Sequence, residues 1–168
     1  MEKKNSFLKD FIEVVVTVFV INFIVTKFIA MPCVVNGNSM YPTLDEGDRC
    51  YSAIFSKNNI ERFDIVVIDL HSANNKKLVK RVVGLPNETI EYKDNKLFVN
   101  GNYIEEEFTT DERTKDFIVT LGEDEYYCLG DNRHISKDSR YYGAFHSKDI
   151  MSKDIFVIYP FKNFGVKK

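Results

Sequence analysis

The stretch Gly37-Asn38-Ser39-Met40-Tyr41-Pro42-Thr43-Leu44 sets a serine between a turn-forming Gly-Asn pair and a Tyr-Pro that favours extended backbone. A hydroxyl held on such a loop is a candidate nucleophile, and amide hydrolysis is the chemistry it suits. That reaction needs an acceptor for the hydroxyl proton and donors for the developing oxyanion. Histidine is the commonest acceptor, but His71, His134 and His146 lie in polar, turn-rich segments with no triad pattern around them. Two other blocks concentrate polar side chains: Lys80-Arg81-Val82-Val83-Gly84, and the segment from Gly130-Asp131-Asn132-Arg133 through Ser136-Lys137-Asp138-Ser139-Arg140 to Gly143. Taken alone, the second of these reads as a polar turn.

The elements that must carry these blocks begin with a short polar tail, residues 1–10, containing Lys3, Lys4 and Lys9. Residues 11–31 form the longest apolar run, and at helical rise they extend about 31 Å, one bilayer crossing. Glu13 and Lys27 lie near its ends, where long side chains reach the interface. A buried soluble helix would show a polar face, and this run has almost none. Cleavage as a secretory signal, or lipidation at Cys33, would need small residues where Met31-Pro32 stands. The run therefore reads as a retained signal anchor, with the tail lysines in the cytoplasm and everything after Pro32 outside, at the plasma membrane.

Beyond Pro32 the pattern is mainly β. Strands are expected at 49–54, 64–70, 77–83, 89–93, 96–99, 102–104, 117–121, 126–129 and 154–160, with a hairpin at Asn100-Gly101. This gives a β core from 32–83 and 126–168, with a smaller β meander inserted at 84–125. Glu105-Glu106-Glu107 reads as a solvated charge run, and 108–116 as a polar connection. With a formal charge of −2, the chain has no electrostatic footprint for nucleic acid. Cys33, Cys50 and Cys128 lack the spacing of a zinc site; three buried thiols are the default, and one disulfide is open to a domain outside the cell.

The serine, lysine and Gly-Asp-Asn-Arg blocks, with the Gly84-Leu85-Pro86 step and the preceding span, stand in the order seen in the bacterial type I signal peptidases. The chain resembles that family over nearly its whole length. The resemblance implies a signal-peptidase-like β core behind one transmembrane helix, and a Ser-Lys dyad in which Ser39 is the nucleophile and Lys80 the base. An ordinary lysine, pKa about 10.4, is neutral only roughly 0.04% of the time at pH 7, so Lys80 must be dry. Strand alternation does not separate Lys80 from Arg81, but a guanidinium stays protonated. By the same resemblance Ser136 hydrogen-bonds the lysine, Asp138 pairs with Arg140, and Asp131 stands behind them. Asp138 is not expected to touch Lys80, because a carboxylate there would raise the amine's pKa.

Val35, Met40, Leu44, Leu78 and Val79 would line shallow pockets for small side chains before the cut. The implied substrates are secretory preproteins met at the lipid bilayer, with no metal and no organic cofactor. Gly37 is a departure: some relatives carry Ser or Thr there, whose hydroxyl donates to the oxyanion, so the hole must rest on the Ser39 N–H and a second donor. Two rivals are a related Ser-Lys peptidase of narrow substrate, such as a self-cleaving repressor or a pilus maturase, and a membrane-tethered peptide-binding β domain. The anchor and the lack of a DNA-binding segment weigh against the repressor, and the presence of both Ser39 and Lys80 against the binding domain.

Overall fold

The computed structural model describes residues 2–54, 59–70, 76–109 and 114–167, with residues 2–6 as backbone alone. His71 and residues 110–113 lie outside the described residues, as do the side chains of Lys3 and Lys4. Helix α1 spans Glu2–Ile24 and runs into a wider π-helical turn, Val25–Ile29. The segment long and apolar enough to cross a membrane is Phe7–Ile29, and none of it is buried against the protein. This corrects the 11–31 span at both ends. The polar tail is helical too, and Ala30 and Met31 have left the helix because their backbone pairs with a strand. Phe11, Val14, Val18, Phe19 and Ile21 are all exposed, so their apolar surface lacks a protein cover and suits lipid.

The strands, in chain order, are β1 (Ala30–Val34), β2 (Arg49–Ala53), β3 (Ile65–Leu70), β4 (Lys76–Gly84), β5 (Thr89–Lys93), β6 (Lys96–Val99), β7 (Asn102–Ile104), β8 (Phe117–Thr120), β9 (Glu125–Leu129), β10 (Phe145–His146), β11 (Ile150–Tyr159) and β12 (Gly165–Lys167); a short helix α2 (Ser139–Tyr142) precedes β10. Among the described residues they form an eight-stranded sheet ordered β1-β2-β11-β3-β4-β9-β10, with β12 also on β11, and a four-stranded sheet ordered β7-β6-β5-β8. Every pairing from β1 to β4 is antiparallel, so β1 and β4 run in the same direction. The fold is mainly β behind one N-terminal apolar helix, as the sequence pattern implied.

Central strand β3, Ile-Val-Val-Ile-Asp-Leu, is buried on both faces rather than alternating. Ile65 and Val67 join Val35, Met40, Leu44 and Ile155 under the Ser39 loop, while Val66 and Ile68 join Leu78, Val82 and Cys128 on the other side. β1 was concealed in the sequence by Pro32, whose missing N–H is tolerated because β1 is the edge strand. Cys33 of β1 and Cys50 of β2 are register partners and form a disulfide, so the default of three thiols does not hold; Cys128 is a free, buried thiol. The small sheet turns at Asp94-Asn95 and at Asn100-Gly101, all four at positive φ, as two-residue hairpins require.

Glu106 corrects the reading of 105–107 as a solvated run. Its carboxylate is buried against the Arg133 guanidinium and the Tyr92 hydroxyl, and Arg133 Nε donates to Gly130 O at 3.0 Å. Phe108, placed in a polar connection by its sequence context, lies 3.9 Å from Arg81 as a cation–π partner. Glu106→Ala would leave the Arg133 charge buried and unpaired, a loss of about 3 kcal/mol. Thermal unfolding of the full chain in detergent is expected to show a clear drop for this variant and a smaller one for Glu106→Gln, which keeps an acceptor.

Candidate active site

Antiparallel pairing brings the separated blocks together. β4 pairs with β9 through Arg81↔Leu129, which sets Lys80-Arg81 beside Gly130-Asp131 at the end of β9. Gly37, at φ +85°, turns the chain from β1 into the serine loop, a conformation that favours glycine and gives this position a backbone reason to lack a hydroxyl. The Tyr41–Pro42 bond is cis and Leu44 N donates to Met40 O at 2.9 Å, so the segment closes as a turn where Tyr-Pro suggested extension. Asn132 N donates to Ser39 O at 3.1 Å, docking the Gly130 turn onto the serine. A Cβ on Gly130 would collide with both Ser39 O and Ser136 Oγ.

Lys80 Nζ lies 2.7 Å from Ser39 Oγ and donates to Val79 O at 2.7 Å. Only 2% of Lys80 is exposed. Burial pulls its pKa down from 10.5 to about 8, against the opposing pull of the Asp138 and Asp131 carboxylates. Each carboxylate is committed elsewhere. Arg81 Nε and Nη2 hold Asp131 at 2.9 and 2.7 Å, with Thr43 Oγ1 donating to the same group. Burial favours the neutral acid at Asp138, yet the Arg140 guanidinium and the Gly130 N–H hold its carboxyl below the usual range. Lys80 and Arg81 thus project to opposite sides of β4, one toward the hydroxyl and one into an ion pair.

A groove of about 680 Å³ leads to the pair, running between β1 and the start of β4. Val35, Met40, Leu78 and Val79 line it. Leu44 does not: it is fully buried in the cluster beneath, packed with Met40 and Cys50. Ser136 also departs from expectation: the Lys80 amine bonds Ser39 Oγ and Val79 O, and Ser136 Oγ is not among its partners. Neither His134 nor His146 bonds Ser39; His146 faces Asp124 at 3.7 Å. Thr43, Arg81, Arg133 and Glu106 are the supporting residues that sequence reasoning passed over. Thr43, Arg81 and Arg133 lie within the marked blocks, but no short-range signal reports their partners.

The family model for signal peptidase, peptidase S26, matches residues 8–159. The chain belongs to this family. It is 35% identical to signal peptidase I S of Bacillus subtilis (strain 168), covering 96% of this chain and 94% of that one. It is 34% identical to signal peptidase IB of Staphylococcus aureus (strain N315), with the same coverage of 96% and 94%. Among solved structures, a signal peptidase I from Enterococcus faecalis V583 superposes with a TM-score of 0.52 at 32% identity, covering 56% of this chain and 96% of that chain. The function of this family member is therefore that of a membrane-anchored signal peptidase I, a serine endopeptidase. Gly130→Ala is expected to reduce turnover by roughly a hundredfold or more, because about 1 Å of displacement at the serine is that costly. A peptide-cleavage assay on the purified, folded variant measures the loss.

Proposed function

We propose that this signal peptidase removes signal peptides from secretory preproteins with Ser39 as nucleophile and neutral Lys80 as general base. The observation that carries the reading is the 2.7 Å approach of a dry lysine amine to a serine hydroxyl. In the charged form the amine donates to Oγ; once neutral, its lone pair can accept the Ser39 proton as Oγ attacks the scissile carbonyl. The resulting ammonium then protonates the leaving amine, and the same nitrogen activates the water that hydrolyses the acyl-enzyme. The Ser39 N–H is the proposed oxyanion donor. Asp138 with Arg140, Asp131 with Arg81, and Ser136 act by holding the turn that carries the site.

Val35, Met40, Leu78 and Val79 form the proposed pockets for small residues before the cut. β1 continues from the end of the apolar helix and β4 runs the same way, so a signal peptide leaving the bilayer would lie between them, parallel to both, as an added strand. The proposed topology is single-pass, with the residues ahead of Phe7 cytoplasmic, the apolar segment Phe7–Ile29 as anchor, a catalytic core of 32–83 and 126–168, and the 84–125 insertion as a cap. Tethering by the helix raises the local concentration of site over membrane-bound substrate.

Ser39→Ala and Lys80→Ala are each expected to abolish cleavage of a model preprotein in detergent, with unfolding midpoints close to the parent; near-normal turnover by Lys80→Ala would reject the dyad. The pH–rate profile supplies a separate test. The base works only when neutral, and its pKa of about 8 leaves roughly a tenth of it active at pH 7. The single-turnover rate should rise about tenfold per pH unit below that value and level off above it; a limb set at about pH 6.5, as for histidine, would require another base.

A further inference from the structure

The walls of the substrate groove carry Lys76, Lys77, Lys80 and Lys137 and not one carboxylate. That is notable in a chain whose acidic residues outnumber its basic ones, 25 to 23. Lys80 is accounted for by the chemistry; the others are not. Lys76 and Lys77 are exposed and, among the described residues, form no salt bridge, although Asp69 of β3 stands opposite Lys77 in the register. Lys76 shares a strand face with Leu78 and Lys80, and four residues of strand set it about 13 Å from Lys80 along β4. Lys77 Nζ reaches across the groove to within 3.7 Å of Met31 Sδ on β1. Lys77 lies on the opposite face of β4, with Val79, so the two ammonium groups flank the membrane-side mouth of the groove from the two faces of the strand, Lys76 on the face of Lys80, upstream of the pockets for small residues.

We propose that Lys76 and Lys77 form an upstream charge-reading subsite that selects substrates carrying an aspartate or glutamate about five residues before the cleaved bond. The inference rests on the reading of the groove as the signal-peptide channel. An extended peptide with its cleaved bond at Ser39 and its chain parallel to β4 brings its fifth preceding residue level with Lys76. The apolar walls there focus the field of the exposed ammonium groups, that of Lys76 foremost. A contact made equally in ground and transition states appears in KM with kcat unchanged.

The test uses the full chain in nonionic detergent and three peptides identical except for Asp, Asn or Lys at the fifth position before the cut. At low salt kcat/KM should favour Asp over Lys by about tenfold, with the difference in KM, and near 0.5 M salt the preference should shrink to about twofold. The Lys76→Glu, Lys77→Glu double variant should reverse the order; comparing peptides on one enzyme removes any general loss of activity. A parent enzyme that cleaves all three equally at low salt overturns the proposal, as does an unchanged order in the double variant. A preference that arises only when phosphatidylglycerol vesicles replace detergent reports the peptides' own affinity for an anionic surface and likewise overturns it. Cleavage of none of the three defeats the peptidase reading and this inference with it.

Discussion

An ammonium ion buried without a full ion pair is among the least favourable groups a fold can hold, and burial moves the Lys80 amine toward its neutral form. The site depends on that shift. Lys80 is as dry as the hydrophobic residues around it, yet Asp131 and Asp138 lie close enough to draw its pKa back up. What keeps them from restoring a full ion pair is prior commitment: a bidentate guanidinium grips each carboxylate, Arg81 on one and Arg140 on the other. The net result is a lysine near pKa 8, close enough to neutrality for the proposed proton transfer and still basic enough to perform it.

The same arginines explain why the catalytic segments keep their relative positions. Arg81 is the immediate neighbour of Lys80 on β4, so fastening it to Asp131 fastens the lysine to the turn that docks on Ser39. Arg133 extends the connection outward, from Gly130 O to Glu106 and Tyr92 of the small-sheet region. The inserted sheet is thereby coupled to the turn through buried polar contacts as well as through the Val83, Ile90 and Leu129 cluster. Gly130 is the point where these demands meet, since only a residue without Cβ lets Ser39 O and Ser136 Oγ approach its backbone together.

Much of this was legible in the sequence because it rests on local chemistry. Runs such as Ile65–Leu70 and the Asn100-Gly101 turn announce their conformation through residue type alone, and the ordered polar blocks announce the site. What escaped were features fixed by distant partners. Glu106 looks like one of three solvated acids until Arg133, from beyond the insertion, is folded against it. Leu44 has the composition of a pocket residue but is drawn beneath the groove by the turn that closes back on Met40. Met31 looks like the end of an apolar helix, and only the strand contributed by Arg49–Ala53 pulls it into a sheet. The Cys33–Cys50 bond belongs to the same class, since it follows from a register that neither cysteine's neighbours specify.

That early exit from the helix has a consequence for the site's distance from the bilayer. The apolar segment ends at Ile29 and β1 begins at Ala30 without a linker, so the edge of the sheet starts where the span stops. A flexible connection would let the domain drift from the surface; a strand pinned by five register pairs and a disulfide to β2 does not. From Ala30 to Val34 the strand advances about 13 Å, and the turn at Gly37 delivers Ser39 immediately afterwards. The separation along the chain between the end of the span and the hydroxyl is thus set largely by strand length, and the groove beside β1 spans the same interval from Met31 to Ser39. A strand so pinned holds the interval between span and serine loop fixed, which a flexible linker of the same length would not.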